Sequence, residues 1–406
     1  MRKIKSKCMA AIILMSGIFI SCHDEIEGVG KDAAKYTIGH DDRNARVPNS
    51  VYWERANQVH NFVVGNLLTS YNSYRANTTT NVNNAWQWYQ ISQILADAEM
   101  VRQADWRYAP YMNNTYAWMN NMWHGTSPLG GYFASANLNG TGAGGDKYID
   151  DNALAGVTYL ECYNVTTGTQ KTNYLNSAKG TANWLMNAGV WDNTFGGGFW
   201  WNTTKPVKPT QSNGLAMQLF IRLYAITGQS YYLSWANSVK NWLEANMYDS
   251  SDGLFVWQIE ANGTKRMDKF TYDNAIMIEA YLDFYNVTGD NSYRLKAINL
   301  AIKLNTKLWD GTRNVYKFNT NDPRVNPAWC GWASQAMIKL YKNDPNPAWL
   351  DYAQKNIDFL NTYNRNAANG GYYTFTNLNG TISDGRYEGV DQAWIQRING
   401  QMAEYR

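Results

Sequence analysis

Two carboxylates stand side by side at Asp150-Asp151, in the stretch Gly144-Gly145-Asp146-Lys147-Tyr148-Ile149-Asp150-Asp151-Asn152-Ala153. A glycine-rich loop runs there into a segment with helical spacing. One aspartate at a helix start needs no special chemistry, because a carboxylate accepts the free N–H groups of the first turn and complements the helix dipole. A second one is harder to explain that way. Like charges this close raise each other's proton affinity and push the two pKa values apart. Separated pKa values are what an acid and a nucleophile need. Retaining glycosidases hold their two carboxyl groups about 5–5.5 Å apart, a spacing that consecutive side chains reach if their rotamers converge. Taken alone, the pair fits a capping role and a catalytic one.

A second candidate for chemistry is the run Gly196-Gly197-Gly198-Phe199-Trp200-Trp201-Asn202. Its glycines open backbone conformations closed to other residues. Pyranose rings have apolar C–H faces that stack on indole and phenol rings, and this chain is rich in such surfaces. Aromatic residues make up 15% of it, with 18 Trp and 29 Tyr, more flat apolar area with polar tips than a core alone requires. Packing explains most of them and a sugar-binding groove the rest. Adjacent residues usually face different ways, so one of Trp200 and Trp201 is expected in the groove and the other in the core. The segment Trp86-Gln87-Trp88-Tyr89-Gln90 has core spacing, although Gln87 and Gln90 are long enough to reach a groove.

The elements that must hold these residues show themselves as a repeat. Val165-Thr166-Thr167-Gly168, Ala225-Ile226-Thr227-Gly228 and Asn286-Val287-Thr288-Gly289 each precede a short polar stretch and then Tyr174-Leu175, Tyr232-Leu233 or Tyr293-Arg294-Leu295. Their glycines are about 60 residues apart, and Asp344-Pro345-Asn346-Pro347-Ala348-Trp349-Leu350 continues the rhythm. A second series keeps the same beat: Gly130-Gly131-Tyr132-Phe133, Gly196-Gly197-Gly198-Phe199-Trp200, Asp252-Gly253-Leu254-Phe255 and Gly370-Gly371-Tyr372-Tyr373. Self-similarity at a fixed period outweighs local signals in fold assignment. Each unit reads as two helices. Leu154, Val157, Leu160 and Cys162 or Tyr163 recur at helical spacing, a Thr-Gly turn follows, and Leu175, Ala178, Ala182 and Leu185 recur again. The turn glycines sit where a left-handed cap is expected. About six such hairpins fit between Val51 and Arg406, and hairpins that cannot bury both faces alone stack on their neighbours. The pattern predicts an all-α (α/α)6 toroid with the glycine-rich aromatic loops at one rim. An open helical solenoid is the alternative, since the pattern leaves closure open.

Tyr148-Ile149-Asp150-Asp151-Asn152-Ala153, followed about 50 residues later by Gly197-Gly198-Phe199-Trp200-Trp201-Asn202 and then by Ser212-Asn213-Gly214-Leu215-Ala216-Met217-Gln218-Leu219, resembles glycoside hydrolase family 76. The resemblance runs from about Val51 to the C-terminus. It implies an (α/α)6 endo-acting enzyme that cleaves α-1,6-linked mannan with retention. It further implies Asp150 as nucleophile, Asp151 as acid/base, and Trp200, Trp201, Asn202 and Asn213 as groove residues. One segment departs from the family's pattern: after Phe270-Thr271-Tyr272, where many members continue with Asn-Gln-Gly, this chain has Asp273-Asn274-Ala275. Asp273 either caps the next inner helix or faces the groove beside Tyr272, where it would bind sugar hydroxyls and alter subsite preference. Two other readings stay open. One is a sugar epimerase or another glycosidase on the same ring, because fold does not fix function. Such epimerases generally rely on histidine pairs, and this chain has only His23, His40, His60 and His124. The other is a surface glycan-binding protein that has lost catalysis, against which the paired aspartates argue.

The net charge of +3, with no dense Lys/Arg cluster, leaves no electrostatic footprint for nucleic acid. A hydrophobic fraction of 45% against 17% charged residues suits a globular chain with a large core. No Cys/His cluster has zinc spacing and no glycine-rich loop precedes Lys-Ser or Lys-Thr, so no metal or cofactor is expected. The basic start Met1-Arg2-Lys3-Ile4-Lys5-Ser6-Lys7 and the apolar run Met9 to Ile20 read as an export signal over residues 1–21, too short to span a bilayer. Phe19-Ile20-Ser21-Cys22 resembles a relaxed lipobox in which Cys22 is acylated. Asp24 and Glu25 behind it resemble the acidic signal that sends lipoproteins of Bacteroidetes-type bacteria to the outer cell surface. Residues 22–50 are expected to be a polar tether and 51–406 the catalytic domain. The lipid anchor would be the only membrane attachment. Cys162 and Cys330 remain, either as a permitted disulfide or as buried small hydrophobes.

Overall fold

The computed structural model describes residues 50–80, 82–125 and 130–406. The expected signal, Cys22 and the tether up to residue 49 lie outside the described residues. The helical spacing of the repeat is realised as α1 (Val51–Asn66), α2 (Gln87–Arg102), α3 (Ala109–Met119), α4 (Ile149–Val165), α5 (Gly168–Asn187) and α6 (Thr210–Thr227). It continues in α7 (Ser230–Asn246), α8 (Thr271–Thr288), α9 (Asn291–Leu308), α10 (Pro327–Asn343), α11 (Pro347–Phe359) and α12 (Gly389–Met402). The odd-numbered helices are buried on one side only. In α9, Ala297, Leu300, Ala301, Leu304 and Leu308 form the covered stripe while Leu295 and Ile302 face out, the pattern of a helix lying on a core. The even-numbered helices are covered nearly all round: α8 buries every residue from Asp273 to Phe284.

That difference in burial follows from two concentric rings. The even-numbered helices pack in the circle α2–α4–α6–α8–α10–α12 and back to α2. Each is backed by the outer helix that follows it, except that α12 is backed by α1. The fold is therefore a closed (α/α)6 toroid, and its sixth helix pair is assembled from the two ends of the domain. Two glycines allow the inner ring to close tightly near its centre. A Cβ on Gly156 of α4 would lie 2.6 Å from Leu219 of α6, and one on Gly214 of α6 would lie 2.6 Å from Ile276 of α8. Gly228 and Gly289 end α6 and α8 in the left-handed region, at φ 68° and 72°, as the Thr-Gly turns predict.

A hydrogen-bonded clamp explains the second repeated series. In α4 the Asn152 side chain accepts from Tyr132 N–H at 2.7 Å and donates to Tyr132 C=O at 3.1 Å and Tyr148 C=O at 2.9 Å. Asn213 of α6 holds Phe199 in the same way and also donates to Pro209 C=O. Asn274 of α8 holds Phe255, Gln392 of α12 holds Tyr372, and Gln90 of α2 holds Tyr74. Each amide satisfies both backbone groups of the aromatic residue ending a loop, which would be costly to bury unpaired. This pins the five loops to one rim. In α10 the corresponding position is Cys330. Its thiol donates to Tyr316 C=O, while Asn356 of α11 accepts from Tyr316 N–H. Cys162 and Cys330 are both buried free thiols. At the same rim, strand Val207–Pro209 pairs antiparallel with Gln258–Glu260, which pairs with Lys265–Arg266. Among the described residues no helix is long and apolar enough to cross a membrane.

Candidate active site

Counting from the clamp sets the geometry of the site. The residues two positions before four of the five clamp amides are Trp88, Asp150, Gln211 and Tyr272 on four successive inner helices, and all four line one cavity of about 630 Å³, whereas Val390, two positions before Gln392, does not. Asp151 and six tryptophans line it too: Trp86, Trp88, Trp201, Trp257, Trp329 and Trp332. α10 stands across the ring from α4, so Trp329 and Trp332 form a wall opposite the aspartates. Trp329 meets Trp88 and Tyr272 edge-on, with ring centroids 5.8 and 5.0 Å away, so the wall is continuous across three helices.

Neither aspartate caps α4. The N-cap is Tyr148, and no side chain makes the capping bond. Asp150 instead accepts twice, from the Trp201 indole N–H on Oδ2 at 3.0 Å and from the Asp151 backbone N–H on Oδ1 at 3.1 Å. Trp201 is held for this by the backbone: Ile149 N–H donates to Trp201 C=O and Trp201 N–H to Val207 C=O, both at 2.8 Å. Its ring lies against Tyr148 at 4.7 Å. Burial pushes the Asp150 carboxyl up to about 6, and the Trp201 indole and the Asp151 N–H hold it back from going further. Burial, and then the charge of Asp150, push Asp151 well above the usual carboxylate range. Such a pair shares its titration, but the asymmetry is clear. The site favours charge on Asp150 and a proton on Asp151.

Of the other residues expected in the groove, Trp201 and Tyr272 line the cavity and the rest do not. Trp200 is 4% exposed. Its indole donates to Asp192 at 2.6 Å and its face carries the Lys208 ammonium 4.7 Å from the centroid, so it belongs to the framework of its loop. Asn202 pairs with Tyr148 through the backbone and spends its side-chain oxygen on the N–H and hydroxyl of Thr204. Asn213 is the α6 clamp. Asp273 neither caps α8, whose N-cap is Phe270, nor reaches the cavity. It is fully buried with both carboxyl oxygens unbonded among the described residues. Burial and then the Asp150 charge push its carboxyl well above the usual range. Gln90 is a clamp and Gln87 is fully buried, so neither long amide reaches the cavity.

Trp86, Trp88, Gln211, Trp257, Gln258, Trp329 and Trp332 are among the lining residues that motif reading missed. The signal for Gln211 was present, because it precedes Asn213 by the interval that separates Asp150 from Asn152. Trp329 and Trp332 gave none, since α10 lacks the clamp amide that sets the register. Among the described residues no group of three or more His, Cys, Asp or Glu is placed to hold a metal ion.

The sequence from Arg55 to Asn326 matches the profile of glycosyl hydrolase family 76, residues 55–326. The chain belongs to that family. The family-76 match spans α1 to α9 and both aspartates, and it makes the chain a glycosidase. Among solved structures, the family-76 α-mannanase of Bacteroides thetaiotaomicron superposes with a TM-score of 0.76 at 22% identity, covering 90% of this chain and 98% of that one. An inactive α-1,6-mannanase of Salegentibacter sp., with two consecutive aspartates replaced by asparagine and α-1,6-mannotriose bound, superposes with a TM-score of 0.71 at 21% identity, covering 87% of this chain and all of that one. The mannan endo-1,6-α-mannosidase of Saccharomyces cerevisiae is 26% identical over 166 residues, 36% of this chain and 35% of that protein. The matched stretch thus spans about a third of that relative's length.

Proposed function

We propose that this family-76 enzyme hydrolyses α-1,6-linked mannan by double displacement, acting within the chain, with Asp150 as nucleophile and Asp151 as acid/base. The observation that carries the reading is the unequal environment of the pair. Asp150 accepts two hydrogen bonds that favour its ionised form, whereas Asp151 has burial and a neighbouring negative charge that favour its proton. In the first step the Asp150 carboxylate attacks the anomeric carbon while Asp151 gives its proton to the departing glycosidic oxygen. A mannosyl ester on Asp150 results. In the second step Asp151 takes a proton from water, which attacks the same carbon and frees Asp150. Two inversions leave the configuration retained.

The aromatic walls suit a polymer of pyranose rings, with Trp201 beside the nucleophile and Trp329 and Trp332 across from it. The names of the mannan-acting neighbours support the choice of sugar and linkage. The substitution of two consecutive aspartates in an inactive neighbour supports the choice of residues. An epimerase would need histidines at the cavity. His60 is buried against Asp97 and Gln396, 3.3 and 3.2 Å from its Nδ1, and His124 sits 2.7 Å from the Lys147 ammonium; neither lines the cavity. We also propose export and anchoring through an acylated Cys22, on the strength of the leader sequence. The decisive experiment for the enzyme is digestion of linear α-1,6-mannan with product sizing and anomer analysis. A ladder of oligosaccharides with retained configuration is expected. Release of mannose alone, or of the inverted anomer, would overturn the assignment.

A further inference from the structure

Beyond the catalytic cavity, a second cavity of about 330 Å³ opens on the outer wall between α7 and α9. Its floor is apolar: Phe255, Tyr281 and Leu300 are each no more than 4% exposed. At the rim, Tyr248 is 47% exposed and meets Phe255 edge-on at 5.4 Å. Glu244, Lys296, Asn299 and Lys303 complete the rim. We propose that this cavity is a second carbohydrate site, which holds one neutral hexose unit of the polymer outside the catalytic cavity. The proposal rests on the mannan reading of the main site.

Three observations converge on that ligand. The rim mixes signs. Glu244 accepts both the Lys296 ammonium, at 2.6 Å, and the Tyr281 hydroxyl, at 2.9 Å, on Oε1, which leaves Oε2 to accept elsewhere. An anion would meet that carboxylate, a cation would meet two lysines, and an apolar ligand would strip the rim of its water. A sugar ring suits both parts, since its C–H face can lie on the half-exposed Tyr248 ring at the edge of the apolar floor while its hydroxyls donate to a carboxylate and accept from ammonium and amide groups. The size is also fitting, near the lower end of ligand pockets of about 300–1,000 Å³, which is room for a unit and not a long chain.

The third observation is that the cavity is held in shape. Gly253 has φ +76°, and a Cβ there would lie 2.9 Å from Cγ of Lys303, so the bare turn lets the lysine stem lie along the rim. Phe255 is fixed through both backbone groups by the Asn274 clamp. The turn is braced by the Lys269 ammonium, 2.7 Å from Asp249. The same loop places Trp257 in the catalytic cavity two residues after Phe255. One connection therefore serves both sites.

The test uses the full domain with Asp150→Asn and Asp151→Asn as a non-cleaving background, run through gels containing soluble α-1,6-mannan. Tyr248→Ala and Asn299→Ala added to that background are each expected to weaken retardation at least five-fold in apparent affinity, with unchanged circular dichroism. In the active enzyme the rate ratio of polymer to mannotriose should fall by a similar factor. Inorganic phosphate is not expected to relieve the retardation. Unchanged retardation in both variants, or relief by phosphate, overturns the proposal. Cleavage by the active enzyme is scored separately. If mannan is bound through Tyr248 but not cleaved, the catalytic reading fails and this site stands; if mannan is cleaved while both variants bind normally, this site fails alone.

Discussion

Trp201→Phe isolates one contact in the catalytic centre, because it keeps an aromatic ring beside Tyr148 and removes the indole N–H that Asp150 accepts at 3.0 Å. A hydrogen bond to a charged group contributes about 1.5–3 kcal/mol, and one pKa unit corresponds to about 1.4 kcal/mol. Losing the bond should therefore raise the Asp150 pKa by about one to two units from its present value of about 6. The sign is fixed by chemistry. The indole stabilises the ionised form, so its loss favours the proton, and the nucleophile is ionised only at higher pH. At pH 6 the ionised fraction would drop from about half to about a tenth or less. The check is the pH dependence of kcat/KM on soluble α-1,6-mannooligosaccharides, whose acidic limb reports an essential base in the free enzyme. That limb should move up by at least one unit while the KM for the oligosaccharide changes little. An acidic limb that stays in place, or moves down, would refute the assignment of Asp150 as the group that must be ionised.

Asp151→Asn should lose about a hundred- to ten-thousand-fold in turnover and Asp150→Asn, which removes the nucleophile, at least as much, both with unchanged circular dichroism; near-normal turnover in either would end the mechanism proposed. Asn213→Ala strands the buried N–H and C=O of Phe199, at about 1–3 kcal/mol for an unsatisfied group, so it should lower the melting temperature by several degrees. Its KM for oligosaccharide should stay the same, and a raised KM with normal melting would return Asn213 to the groove. Trp200→Ala should cost about 3–5 kcal/mol of folding free energy, whereas Trp201→Ala should chiefly weaken oligosaccharide binding, by about 1–3 kcal/mol on the scale of aromatic stacking in other complexes. Both are read from melting and affinity on one sample. Cys22→Ser should yield soluble protein, and fatty-acid labelling that still marks the variant would count against the anchor.

The ring was legible because a fixed period is a long-range signal: hairpins that cannot bury both faces alone must stack, and their number suits closure. That the paired aspartates face a cavity was legible because two adjacent carboxylates exceed what a helix start needs. The groove was read less well, and for a physical reason. The segments resembling family 76 interleave cavity residues with the framework that holds them, so Asn213 and Trp200 look as polar and as aromatic as Gln211 and Trp201. Register separates them. Clamp amides recur at Asn152, Asn213 and Asn274, and the cavity residues stand two positions earlier. α10 hid its tryptophans because Cys330 and Asn356 divide the clamp between two helices. Asp273 was misjudged since neither burial nor the absence of partners is written in its neighbours along the chain.

The pairing of α1 with α12 gives the toroid a keystone. α12 supplies none of the lining residues of the catalytic cavity, yet it packs on α2, α10 and α1 together. Before it arrives, both flanks of the opening expose faces that the finished domain hides, and the first outer helix has no inner partner. Closure joins segments more than three hundred residues apart, as in the contact of His60 Nδ1 on α1 with Gln396 Oε1 on α12 at 3.2 Å, and the chain entropy lost in such a loop grows only with the logarithm of its length. Nicking just before Gly389 would cut α12 from the rest of the chain and unlatch the ring, while leaving both aspartates in place.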